Sequence, residues 1–64
     1  MEIRTVLRRS TLVVSLRVHA RDPAKTHELC AGTEVEVTDF TDGDETLCLL
    51  RDGREVWIER RYLV

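Results

Sequence analysis

The sequence predicts a small all-β barrel of five or six short strands. Three observations lead there. Apolar and β-branched residues recur at a period of two in several short runs, and no run shows the 3.6-residue period of an amphipathic helix. Turn-forming residues punctuate those runs at Asp22-Pro23, Gly32, Gly43 and Asp52-Gly53. Finally, 64 residues make one small domain. A chain of that size buries only about 60% of the surface it exposes when unfolded. Closing the sheet lets all strands share one core and hides their edges.

The clearest element is the hairpin Leu47-Cys48-Leu49-Leu50-Arg51-Asp52-Gly53-Arg54-Glu55-Val56-Trp57-Ile58. Asp-Gly tolerates positive φ at both central positions of a type I′ turn, so a two-residue hairpin is expected there. That turn would oppose Leu49 to Val56, or Leu47 to Ile58. After Glu59-Arg60-Arg61 the apolar pattern resumes at Tyr62-Leu63-Val64, which reads as a polar turn and a last short strand. At the other end, residues 1–10 carry Ile3, Val6 and Leu7 among Arg4, Arg8 and Arg9. This segment reads as an arm or an extra edge strand, separate from a barrel spanning residues 11–64.

Residues 11–18 are rich in β-branched side chains and read as one strand, with Val13, Ser15 and Arg17 on one face. The hydrophobic pattern then disappears over residues 19–28, so a long excursion from the sheet is expected. Residues 33–40 alternate cleanly, with Val35 and Val37 inward and Glu34, Glu36 and Thr38 outward. Asp39, Asp42, Asp44 and Glu45 surround Gly43 in a short acidic loop.

Composition excludes several classes. A net charge of −2 with 34% charged residues suits a soluble, cytoplasmic protein and not a general nucleic-acid binder, for which a basic domain is expected. The longest apolar run is Leu12-Val13-Val14, far short of a membrane span. No apolar stretch follows Met1-Glu2-Ile3-Arg4 as a signal peptide requires. Cys30 and Cys48 read as reduced, packed thiols. Together with His19 and His27 they lack metal-ligand spacing, so no metal or other cofactor is expected. Ser15 near His19 is not a nucleophile held against an oriented base, and no enzyme is expected.

In order and spacing these parts resemble a Src-homology-3 (SH3) domain over residues 11–64. Val13-Val14-Ser15-Leu16-Arg17-Val18-His19 falls where that family carries its Ala-Leu-Tyr-Asp-Tyr strand. The distance from Ser15 to Gly32 suits the RT loop, and residues 39–45 suit the n-Src loop. Asp52-Gly53-Arg54-Glu55-Val56-Trp57-Ile58 is similar to the distal hairpin, and Glu59-Arg60-Arg61-Tyr62-Leu63 to the 3₁₀ turn and final strand. The resemblance implies an apolar core at Val13, Leu29, Val35, Val37, Leu49, Ile58 and Leu63.

It also implies a binding groove with altered chemistry. SH3 domains stack proline-rich helices of the polyproline II type on aromatic side chains. Here the two motif tyrosines are matched by Arg17 and His19, the groove tryptophan by Thr46 and the proline before the 3₁₀ turn by Glu59; Tyr62 alone keeps its type. The RT-type loop, acidic in many relatives, holds Arg21 and Lys25. Arg17, Arg60 and Arg61, with His19, could form a cationic patch for an acidic or phosphorylated partner. The expected function is therefore that of an atypical SH3 domain: a non-catalytic interaction or signalling scaffold that does not take standard PxxP peptides. The alternatives are self-association or intramolecular docking through the arm at residues 1–10, and a small nucleic-acid-binding barrel.

Overall fold

A computed structural model describes residues 8–22 and 24–64. The arm expected over residues 1–10 falls largely outside the described residues, as does Pro23 of the first turn. Among the described residues six strands form a single antiparallel sheet: β1 (Arg8–Thr11), β2 (Leu16–Ala20), β3 (Thr26–Leu29), β4 (Glu34–Asp42), β5 (Glu45–Leu49) and β6 (Glu55–Glu59). Their order across the sheet is β1-β4-β5-β6-β2-β3. A 3₁₀ turn over Arg60–Tyr62 follows β6, and Leu63 then bridges Leu12. The protein is all-β, and no described helix is long and apolar enough to cross a membrane.

The core forms where alternating residues of five strands or their ends meet. Leu12, Val18, Val35, Cys48, Val56 and Ile58 are buried together, with Leu16, Leu29, Val37, Leu50, Tyr62 and Leu63 packed around them. Fully burying an aliphatic side chain of this size is worth about 1.5–3 kcal/mol, so this cluster supplies most of what holds the sheet together.

Four expectations are corrected. Residues 11–18 are not one strand, because Leu12, 1% exposed, is drawn into the core and held there from three sides. Its N–H donates to the Thr33 carbonyl, its carbonyl accepts from Gly32 N–H, and it bridges Leu63. The chain then swings outward, leaving Val13 and Val14 46% and 39% exposed, before β2 starts at Leu16. Leu12, not Val13, is the core residue.

The stretch after β2 is an excursion only in part. β3 runs back along β2 with Leu16 opposite Leu29 and Val18 opposite His27, a hairpin closed by Ala20 N–H donating to Lys25 O. Two apolar residues on β2 and one on β3 suffice to anchor it, too few to register as a periodic run.

The last hairpin is out of register with expectation by one residue. Of Asp52 and Gly53 only Gly53 has positive φ (90°), so the pair does not form the type I′ turn. Instead Gly53 N–H donates to Leu50 O, Leu50 N–H donates to Arg54 O, and the Asp52 carboxylate accepts from Arg54 N–H. The resulting longer loop pairs Leu49 with Glu55, Cys48 with Val56, Leu47 with Trp57 and Thr46 with Ile58. A one-residue slip exchanges the two faces of a strand. Cys48 and Val56 therefore fill the core, and Leu49 turns away from it.

The acidic loop contracts to two residues. β4 extends through Asp42, and the turn to β5 is Gly43-Asp44 with φ 61° at Gly43, as a type II′ hairpin requires. β4 is long enough because it bulges: Thr38, Asp39 and Phe40 stand opposite Leu47 alone. Thr38, expected outward, lies buried in the bulge, where its hydroxyl donates to Leu47 O (2.7 Å) and accepts from Phe40 N–H (3.2 Å).

Candidate interaction surface

The five groove positions fall into three environments. Arg17 and His19 alternate along β2 and point to the face away from the core, as the exposed-buried-exposed pattern at Arg17, Val18 and His19 requires. Arg17 is committed to its cross-strand neighbour: a guanidinium nitrogen lies 2.6 Å from Glu28 on β3. His19 lies opposite Thr26 on one side and Trp57 on the other, and Trp57 in turn opposes Leu47. A row Thr26, His19, Trp57, Leu47 thus crosses the outer face of the sheet. Trp57 is half-buried in it and Leu47 buried.

Thr46 is not at the surface. It is 2% exposed, paired with Ile58 on the core side of β5, and its hydroxyl has no hydrogen-bond partner. The reason is the same register: Thr46 shares the inward face with Cys48. It cannot line a groove.

Glu59 ends β6 and precedes the 3₁₀ turn in extended conformation, with φ −63° and ψ 133°. Its carboxylate accepts from Arg61 Nε at 2.9 Å. The same arginine places its guanidinium 4.7 Å from the centroid of the Tyr62 ring. The hydrogen bond to Glu59, then its negative charge, holds the Arg61 pKa above the ordinary guanidinium value. Tyr62 is half-buried and packs on the core side, so its ring has one face covered by Arg61. Arg60 N–H donates to Asp44 O (3.1 Å), and its guanidinium reaches Gly43 O. The 3₁₀ turn is thereby tied to the β4–β5 turn.

The three arginines expected to make a cationic patch are consequently each occupied locally: Arg17 by Glu28, Arg61 by Glu59 and Tyr62, Arg60 by the backbone of the neighbouring turn. Cys30 is exposed and Cys48 buried; both are free thiols, so only one of the two is packed. Burial pushes the Cys48 thiol from 9.0 up to about 11.

Sequence reasoning missed one convergence. Arg54, at the β5–β6 loop, lies 3.3 Å from the His27 imidazole on β3, across 27 residues of chain. Arg21 beside them contacts both oxygens of Glu55 at 3.4 Å. The signal was present only as isolated basic residues beside two turns. Their meeting depends on β2 pairing with β6, which no local pattern announces. Comparison with family models, curated proteins and solved structures finds no match to this chain.

Proposed function

We propose that the chain is a non-catalytic protein-interaction module, an SH3-like barrel that does not use the family's proline-binding groove, and that it works in the cytoplasm. The fold reading is supported by the succession of parts. A hairpin β2–β3 stands between β1 and β4, β4-β5-β6 follow as a meander, and a 3₁₀ turn leads to the bridge of Leu63 with Leu12. That bridge, with Val64 N–H donating to Thr11 O, joins the two ends of the described chain beside the core, which supports reading the sheet as a barrel.

The observation that carries the functional reading is the state of the groove positions. Docking a polyproline II helix needs flat, uncommitted aromatic faces. Arg17 is ion-paired, Thr46 is inside the core, Glu59 is bound to Arg61, and one face of Tyr62 lies under that same arginine. A titration of labelled protein with proline-rich peptides is expected to show no binding tighter than about millimolar, roughly −4 kcal/mol. Micromolar binding with shifts at Tyr62 would overturn it.

Self-association is the weaker reading. The edge strands β1 and β3 are four residues each and carry Arg8, Arg9 and Glu28, features that blunt an edge against pairing.

A further inference from the structure

Two turns lie side by side at one end of the sheet. In the β2–β3 turn, Asp22 accepts the Ala24 N–H on its carboxylate (3.0 Å) and the Lys25 N–H on its carbonyl (3.0 Å). In the β5–β6 loop, Asp52 does the same for Arg54 N–H (3.0 Å). Each aspartate therefore pins its own turn, the local side-chain capping that Asp favours. The two turns are joined where Arg21 N–H donates to Glu55 O (3.2 Å), extending the β2–β6 pairing. Between them is a hollow of about 470 Å³ lined by Arg21, Asp22, Lys25, His27, Arg54 and Glu55.

Three cations, an imidazole and two carboxylates thus line one space. Those carboxylates are engaged, Glu55 by Arg21 and Asp22 by its own turn. Lys25 has no carboxylate within ion-pair distance among the described residues. Arg54 shares Asp52 on its Nε side and sets one terminal nitrogen 3.3 Å from His27 Nδ1. With Nδ1 turned to Arg54, the opposite ring nitrogen is left as a donor.

We propose that this hollow binds a phosphate monoester displayed on a protein partner, with Lys25 and the remaining guanidinium N–H groups of Arg54 as charged donors and the ring nitrogen of His27 that faces away from Arg54 as a further donor. Guanidinium forks and an ammonium match the several oxygens of a phosphate better than a single carboxylate. A nucleic acid is the poorer occupant. Its neighbouring phosphates would meet Asp22 and Glu55 in the same lining, and a chain of net charge −2 lacks the extended basic surface that polyanions need. The inference deepens the interaction reading by naming a partner chemistry. It stands or falls on its own titration, since proline-peptide binding reports on Tyr62 and phosphate binding on a different set of amides.

The test is an NMR titration of the labelled protein with a short phosphoserine peptide, the same peptide unphosphorylated, a 12-nucleotide single strand, and sulfate. The phosphopeptide is expected to shift the amides of Arg21, Lys25, His27 and Arg54, and to bind about tenfold or more tighter than its unphosphorylated twin. Arg54→Gln and Lys25→Gln, both at exposed positions, are expected to weaken it about tenfold each while leaving the Trp57 indole signal in place. Sulfate, which supplies the oxyanion alone, is expected to shift the same amides, and His27→Gln to weaken that binding. Equal affinity for the two peptides, shifts elsewhere, or tighter binding of the single strand at these amides would each overturn the proposal.

Discussion

Thr46 sits in the core between Thr41 on β4 and Ile58 on β6, and among the described residues it alone leaves a buried side-chain oxygen without a hydrogen-bond partner. An unsatisfied buried hydroxyl costs about 1–3 kcal/mol. Replacing it by a methyl of nearly the same volume removes that cost without opening a cavity. Thr46→Val is therefore expected to raise stability by about 1 kcal/mol, seen as a higher urea midpoint at unchanged slope. A loss of stability would show that the hydroxyl is satisfied. Two residues along, Cys48 makes the opposite kind of statement. Its thiol is pushed from 9.0 to about 11 by burial, so the folded state holds its proton where the unfolded chain releases it. The sign follows: the contribution is whole below pH 9 and is lost as pH climbs from about 9 to 11. Unfolding free energies from urea titrations at the two ends of that window should fall by an amount on the order of 2–3 kcal/mol more in the parent than in Cys48→Val. Equal loss in both proteins would place the alkaline transition elsewhere.

Among elements, the hairpins mark the boundary of what a sequence can disclose. Alternation at Glu34-Val35-Glu36-Val37 and the polar break before Tyr62 were readable, and β4 and the 3₁₀ turn stand there. Register was not readable, because Asp-Gly suits two turn geometries and only longer-range pairing selects between them. The tight turn went to Gly43-Asp44 and the longer one to the Asp52-Gly53 loop, and that choice placed Leu49 outside, Cys48 inside and Thr46 away from the surface. The same register lines up Asp42, Glu45 and Glu59 in one cross-strand row over β4, β5 and β6. Like charges directly opposite each other destabilise a sheet by about 0.2–1 kcal/mol per pair. Glu59 is partly relieved by Arg61, which leaves Glu45 between two carboxylates. Glu45→Lys is expected to stabilise the protein by about 0.5–1 kcal/mol, an effect that shrinks in molar salt. A gain that persists at high salt would point to packing instead.

The whole molecule depends on contacts that no stretch of chain contains. Arg54 reaches His27, and Leu12 bridges Leu63, joining residues 51 positions apart. Val13 N–H donates to Tyr62 O, Val64 N–H donates to Thr11 O, and Ser10 Oγ donates to Val64 O, so the bridge is the centre of a short two-sided seam. Local patterns mark residues as apolar but cannot say which of Leu12, Val13 and Val14 turns inward; the seam decides, and only Leu12 is buried. If the seam closes the sheet, its two leucines act together. Leu12→Ala is expected to cost about 3 kcal/mol, Leu63→Ala about 2, and Val13→Ala under about 0.5. In the Leu12/Leu63 double variant the losses should fall short of their sum by about 0.5–1 kcal/mol, because the second truncation removes contacts already lost to the first. Equilibrium denaturation of the four proteins measures this directly. Strict additivity would mean that the two residues contribute to separate parts of the core and that the seam does not close the sheet.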